Sequence, residues 1–217
     1  MRLLYIIFLA ALLSVLGIVH VAQARPVSYP GGWTAMLMND GTKHSSHIHY
    51  SPTVNTSVGY KFEYWRDQRV ALHAVQVNNL LKRWNNPDSQ ANLYLKSGIG
   101  MARSQADDVD HQTRAAGFTG VAADWENRRF FVSYQNRYTE LGGIDDFYQQ
   151  SARIGVAPYI GDYGDLHTWL MLQVEHMPEH KDRATVTPIA RLFKGAHLLE
   201  AGVSNHNNVL FNYIFRY

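Results

Sequence analysis

The chain of 217 residues contains no cysteine. That excludes a disulfide framework, a thiolate zinc site and a lipid-modified cysteine at a processed N-terminus. Charge is sparse as well: 18% of residues are Asp, Glu, Lys or Arg, with a formal net charge of +2, against ~25% in an ordinary soluble domain. A near-neutral balance leaves no electrostatic footprint for nucleic acid. An apolar share of 46% argues against disorder. No phosphate-binding glycine loop, carboxylate dyad or nucleotide fingerprint occurs, so no cofactor is expected.

Long apolar runs are missing too, with one exception at the start. Arg2 precedes an almost unbroken apolar stretch from Leu3 to Val19, and Ala22-Gln23-Ala24 offers small residues where a signal peptidase reads. Residues 1–24 are therefore expected to be a cleaved signal peptide, and 25–217 a single exported domain. Removing 24 of 217 residues leaves 193, with 19 basic and 18 acidic side chains. None of the remaining runs reaches the roughly 18 apolar residues of a membrane helix. After export such a chain is either soluble or inserted as a closed barrel, because only helices and closed barrels satisfy their backbone in lipid.

What the chain has in plenty is aromatic residues and alternation. Of 27 aromatics, 25 fall after residue 24. Val58, Tyr60, Phe62 and Tyr64 alternate with Gly59, Lys61 and Glu63, and Leu93, Leu95, Ser97, Ile99 and Met101 alternate with Asn92, Tyr94, Lys96, Gly98 and Gly100. Leu170, Leu172 and Val174 do the same against Met171, Gln173 and Glu175. Strict period-2 patterning of this kind means strands with one apolar and one polar face. Turn signals such as Asn39-Asp40-Gly41, Asn85-Asn86-Pro87-Asp88 and Gly142-Gly143 separate about twelve strands. They fall near 32–39, 43–50, 54–65, 69–83, 90–103, 115–125, 130–140, 147–159, 166–177, 184–193, 197–204 and 208–217. Two features pull against that count. Pro188 lies inside the tenth strand, where it removes a donor, and the fourth has mixed parity, with Val75, Val77 and Leu81 on one face and Leu72 and Leu80 on the other. Ten strands is the alternative.

Val209, Phe211, Tyr213, Phe215 and Tyr217 occupy every second position up to the C-terminus. This ending resembles the C-terminal signature of Gram-negative outer-membrane β-barrels. The resemblance implies an all-β, single antiparallel up-and-down transmembrane barrel in the cell outer membrane. It further implies that Phe211, Tyr213, Phe215 and Tyr217 form the signal read by the barrel assembly machinery. Aromatics near strand ends fit two girdles at the lipid interfaces: Trp33, Tyr50, Trp84, Trp125, Tyr159, Tyr163 and Trp169 at one rim, and Tyr64, Trp65, Tyr138 and Phe147 at the other. A soluble periplasmic β-sandwich that presents the charges to water is the rival fold.

In a barrel the polar faces line the lumen. Lys61, Glu63, Lys96 and Arg137 would then face inward together with Arg153, Glu175, Arg191 and Glu200. Both signs occur, so salt bridges across a narrow bore are expected. Gly59, Gly98, Gly100, Gly155 and Gly202 share that side, either to leave room for a solute or to relieve crowding. The function expected is a narrow passive channel for small solutes, porin-like and with a mixed-charge lumen; its partners would be small solutes and outer-membrane lipids.

Two further constellations compete. His47 and His49 share one strand face and are candidates to grip a metal ion, with Glu63 on the next strand as a possible third ligand and Glu175, His176, His180 and Asp182 as others. His44 and Ser46 share the opposite face, similar to the histidine-activated serine of outer-membrane phospholipases and lipid A deacylases, although no third residue is evident to orient the histidine. Catalysis is the weaker expectation.

Overall fold

The computed structural model describes residues 27, 29–105, 112–162, 164–179 and 184–217. The expected leader lies outside these, as do Tyr163, His180 and Asp182. The alternating segments form β1 (Trp33–Asn39), β2 (Lys43–Tyr50), β3 (Thr56–Trp65), β4 (Val70–Asn86), β5 (Ser89–Ser104) and β6 (Thr113–Asn127). They continue as β7 (Phe130–Glu140), β8 (Asp146–Val156), β9 (His167–His176), β10 (Ala184–Lys194), β11 (His197–Val203) and β12 (Val209–Arg216). Each strand pairs antiparallel with its sequence neighbour, and β12 returns to β1, closing the barrel at twelve strands. Closure leaves no edge of unpaired N–H and C=O groups, which lipid would not tolerate. Tyr217 takes part in it: Trp33 N donates to Tyr217 O at 2.7 Å, and Tyr217 N donates to Trp33 O at 3.1 Å.

The faces are inside-out relative to a soluble protein. Leu37, Ile48, Val75, Ile154 and Leu170 are exposed on the outer wall, and Ile99 reaches 77% exposure. Buried positions are instead polar in large part, among them His49, Glu63, Asn78, Glu200 and Asn212. A soluble sandwich would bury the aliphatic face, so this alternative is excluded. All of Val209, Phe211, Tyr213, Phe215 and Tyr217 point outward or half-outward, while Leu210, Asn212 and Arg216 point in.

The mixed parity of β4 reflects apolar residues on both faces: Leu72 and Leu80 turn inward into apolar clusters, while Val75, Val77 and Leu81 face out. Leu80 pairs with Tyr94 and Lys82 with Leu93, so Leu81 is the extra residue of a β-bulge. Leu72, Ala74, Gln76, Asn78 and Leu80 face inward before it, and the parity changes after it, turning Arg83 in and Trp84 out. Pro188 is accommodated because the β10–β11 ladder runs only from Ile189↔Gly202 to Lys194↔His197. Beyond that, Asn205 takes over from β11: Val186 N donates to Asn205 Oδ1 at 2.9 Å, and Asn205 N donates to Val186 O at 2.9 Å. The missing proline donor thus faces the place where regular pairing has already given way.

The girdle expectation holds in part. Trp33, Trp84, Trp125 and Tyr159 are exposed at the rim that carries the termini, and Tyr138 at the far rim. Trp65, Phe147 and Trp169 are corrections, because they share the parity of the lumen residues and turn inward. Trp65 and Phe147 meet edge-on at 4.4 Å between centroids. With Leu72, Ala102, Phe118, Leu141 and Met177 they build an apolar cap inside the far end of the barrel. At the terminal end, Val27 is buried against Leu80, Tyr94 and Ala122 of the inner wall.

Candidate functional site: the lumen

One cavity of about 890 Å³ runs along the barrel interior. Its lining reaches from Pro87, Asp88, Arg128 and Asp162 at the terminal end to Asp40 and Lys43 at the first hairpin. The apolar cap fills part of the far end, beside lining residues such as Lys43, Gln149 and Glu175. All eight expected lumen residues line this space: Lys61 and Glu63 from β3, Lys96 from β5, Arg137 from β7, Arg153 from β8, Glu175 from β9, Arg191 from β10 and Glu200 from β11. Period-2 alternation on eight different strands is enough to converge them.

Two carboxylates organise the charge. Arg137 grips Glu63 through both guanidinium arms, Nη1 to Oε1 at 2.9 Å and Nη2 to Oε2 at 2.7 Å, and Lys61 Nζ stands 3.3 Å from Oε1. On the opposite wall Glu200 Oε1 accepts from Arg153 Nη1 at 2.9 Å and from Arg191 Nε at 2.7 Å, while Asn212 Nδ2 donates to Oε2 at 2.8 Å. Lys96 Nζ donates to the neutral amide of Gln135 at 3.4 Å. Four cations therefore share two buried carboxylates, so this belt carries a surplus of two positive charges, while Lys96 stands in the field of Asp124. Nearer the far end Lys43 and Glu175 balance each other through Gln149, at 2.9 Å on either side. The terminal mouth is acidic, with Asp88, Asp124, Glu126 and Asp162 on its lining.

Aromatic rings steady the cations, which sequence reasoning did not anticipate. The Arg137 guanidinium lies 5.0 Å from the Phe118 ring and 5.4 Å from Trp65, Arg191 lies 5.0 Å from Phe131, and Lys43 Nζ lies 4.3 Å from Trp65. Lys43 shares the parity of His47 and His49, so its inward position was legible; the stacking partners lie on strands too distant in sequence to be read. The inward glycines answer to crowding. A Cβ on Gly98 would fall 2.4 Å from the Phe118 ring, and one on Gly59 2.1 Å from Ile48 O.

The other candidate residues fall as follows. His44 and Ser46 face outward on β2, and His44 Nδ1 is bonded to Asn39 Oδ1 at 2.7 Å. His47 and His49 face the cavity side by side, with ring centroids 4.7 Å apart. Glu63 does not join them, since Arg137 and Lys61 occupy it. Glu175 and His176 lie on opposite faces, Glu175 bonded to Gln149 and His176 to Gln150.

A closed antiparallel barrel with an aliphatic outer wall and a charged interior defines the outer-membrane β-barrel class. No known protein family and no curated protein sequence matches the chain. Among solved structures it is similar to a KdgM porin in complex with disordered oligogalacturonate, at 8% identity and a TM-score of 0.51, covering 86% of this chain and 98% of that one. A second similar structure is OmpTdeltaL8, a loop-deletion mutant of an outer membrane protein of Vibrio cholerae, at 10% identity and a TM-score of 0.29, covering 86% of this chain and 99% of the other. At such identities the likeness is one of fold.

Proposed function

We propose that the protein is exported by its leader to the Gram-negative outer membrane and acts there as a narrow, passive channel for small solutes. The observation that carries this reading is a lumen cavity crossed by a belt of Lys61, Arg137, Arg153 and Arg191 held on Glu63 and Glu200. A structural network alone would balance its charges, because each uncompensated charge near a low-dielectric wall costs solvation energy. This belt keeps a surplus of two positive charges beside the cavity, which favours anions at that level of the bore. The likeness to a porin supports the fold that such a channel needs.

Orientation follows from the strand count. With twelve strands both termini lie on one side, the periplasmic one in this class. Val27 and the acidic mouth then face the periplasm, and the apolar cap faces outward. The Phe211, Tyr213, Phe215 and Tyr217 edge serves recognition by the assembly machinery. Planar-bilayer recording on the folded barrel tests the channel: discrete conductance steps are expected, and folded, inserted protein that passes no current would sink it.

A further inference from the structure

We infer that His47, His49 and Met36 form a lumen site for a soft monovalent metal ion, of the Cu(I) or Ag(I) kind. The site follows from the barrel's register. His47 pairs with Met36 of β1, His49 pairs with Thr34, and all four positions share the inward face. Met36, His47 and His49 line the cavity, and the two imidazoles lie 4.7 Å apart between centroids.

What marks this spot is unused donor capacity. His47 and His49 are 7% and 0% exposed, yet His47 Nε2 and both ring nitrogens of His49 have no hydrogen-bond partner. Thr34 Oγ1 beside them is buried and equally unpartnered. Buried polar atoms are nearly always satisfied, and each one left empty costs stability. Four such atoms on two neighbouring strands form a concentration that a ligand would relieve.

The donor set selects the metal. Among the described residues no group of three His, Cys, Asp or Glu side chains stands together, which leaves no carboxylate or third imidazole for a zinc-type site. Two imidazoles with a thioether suit Cu(I), since soft sulfur ligands favour soft ions. The charge around the site disfavours every cation, and a dication most. Lys61 pairs with His47 across β2 and β3, and Arg216 pairs with Thr34 across β12 and β1. Repulsion from these cations weighs twice as heavily on a dication as on a monocation.

Titration of the folded full-length barrel in detergent, with Ag(I) and with Cu(I) under reducing conditions, tests the site independently of conduction. One ion per barrel is expected, with Zn(II) failing to compete. The variant carrying His47→Ala and His49→Ala should lose more than about 100-fold in affinity, and Met36→Leu roughly tenfold. X-ray absorption should show nitrogen and sulfur scatterers in the wild type, and the sulfur should vanish in Met36→Leu. Retained heat-modifiable migration establishes that each variant is folded. Equal affinity in the double variant would place the ion elsewhere, for instance at the exposed His44, and overturn the assignment. Tighter Zn(II) than Ag(I) binding, or an unchanged sulfur signal in Met36→Leu, would overturn it as well.

Discussion

Replacing Glu63 by Gln keeps the shape of the side chain and removes its charge, which strands two cations at once. Arg137 loses a bidentate contact of 2.7 and 2.9 Å, and Lys61 loses its partner at 3.3 Å. Removing one partner of a buried pair costs roughly 3–5 kcal/mol. Here the Arg137 and Lys61 side chains keep 14% and 15% exposure toward the cavity, so water relieves part of the penalty. The lower end of that range, about 3 kcal/mol, is expected, or roughly a hundredfold in the folded-to-unfolded ratio. Urea unfolding in lipid vesicles, followed by loss of the fast-migrating unheated gel band, measures it. A second variant in which Glu63→Gln is combined with Arg137→Gln should regain part of the loss, because the uncompensated guanidinium is gone while Lys61 stays without its partner. A single Glu63→Gln variant as stable as the wild type would refute the reasoning, and so would a double variant less stable than the single one.

Other outcomes follow from the same geometry. Lys61→Glu turns the belt's surplus of two positive charges into an even balance, so ion selectivity should move toward cations, read as a shifted reversal potential across a salt gradient. Trp65→Ala or Phe147→Ala removes a ring from the apolar cap and should raise single-channel conductance; unchanged current would show that the cap lies off the conducting path. Deleting Tyr217 removes both hydrogen bonds that it shares with Trp33, and the folded fraction recovered from membranes should fall. Ser46→Ala should leave lipid hydrolysis at background, the level expected of the wild type too; serine-dependent turnover in the wild type would restore the hydrolase reading of His44 and Ser46.

The strand count, the parity of most strands and the eight lumen charges were legible because alternation along a strand is enforced by the pleat itself. Parity also carries information that hydrophobicity hides. Trp65, Phe147 and Trp169 looked like girdle residues by their nearness to strand ends, yet their positions share the parity of Glu63, Arg153 and Gln173, and parity won. Apolar residues fell on both faces of β4 because Leu72 and Leu80 fill the interior, whereas the bulge at Leu81 reverses only the faces beyond it. What was not legible is transverse. Arg137 with Glu63, and Arg153 with Glu200, meet across the bore from strands 74 and 47 residues apart. No local pattern encodes such a pairing. The mixed signs announced that salt bridges would form without saying which residues would form them, or that the cations would outnumber their partners.

The central claim is a conducting lumen with a positive surplus, and its most direct measurement is the reversal potential of single barrels in a planar bilayer across a potassium chloride gradient. Ionic strength near 0.1 M keeps the screening length at about 10 Å, so the belt is felt within the bore. Wild-type barrels should show discrete steps whose reversal potential has the sign of chloride preference, moving toward cations in Lys61→Glu. Steps that reverse on the potassium side, or a folded barrel without conductance, would contradict it.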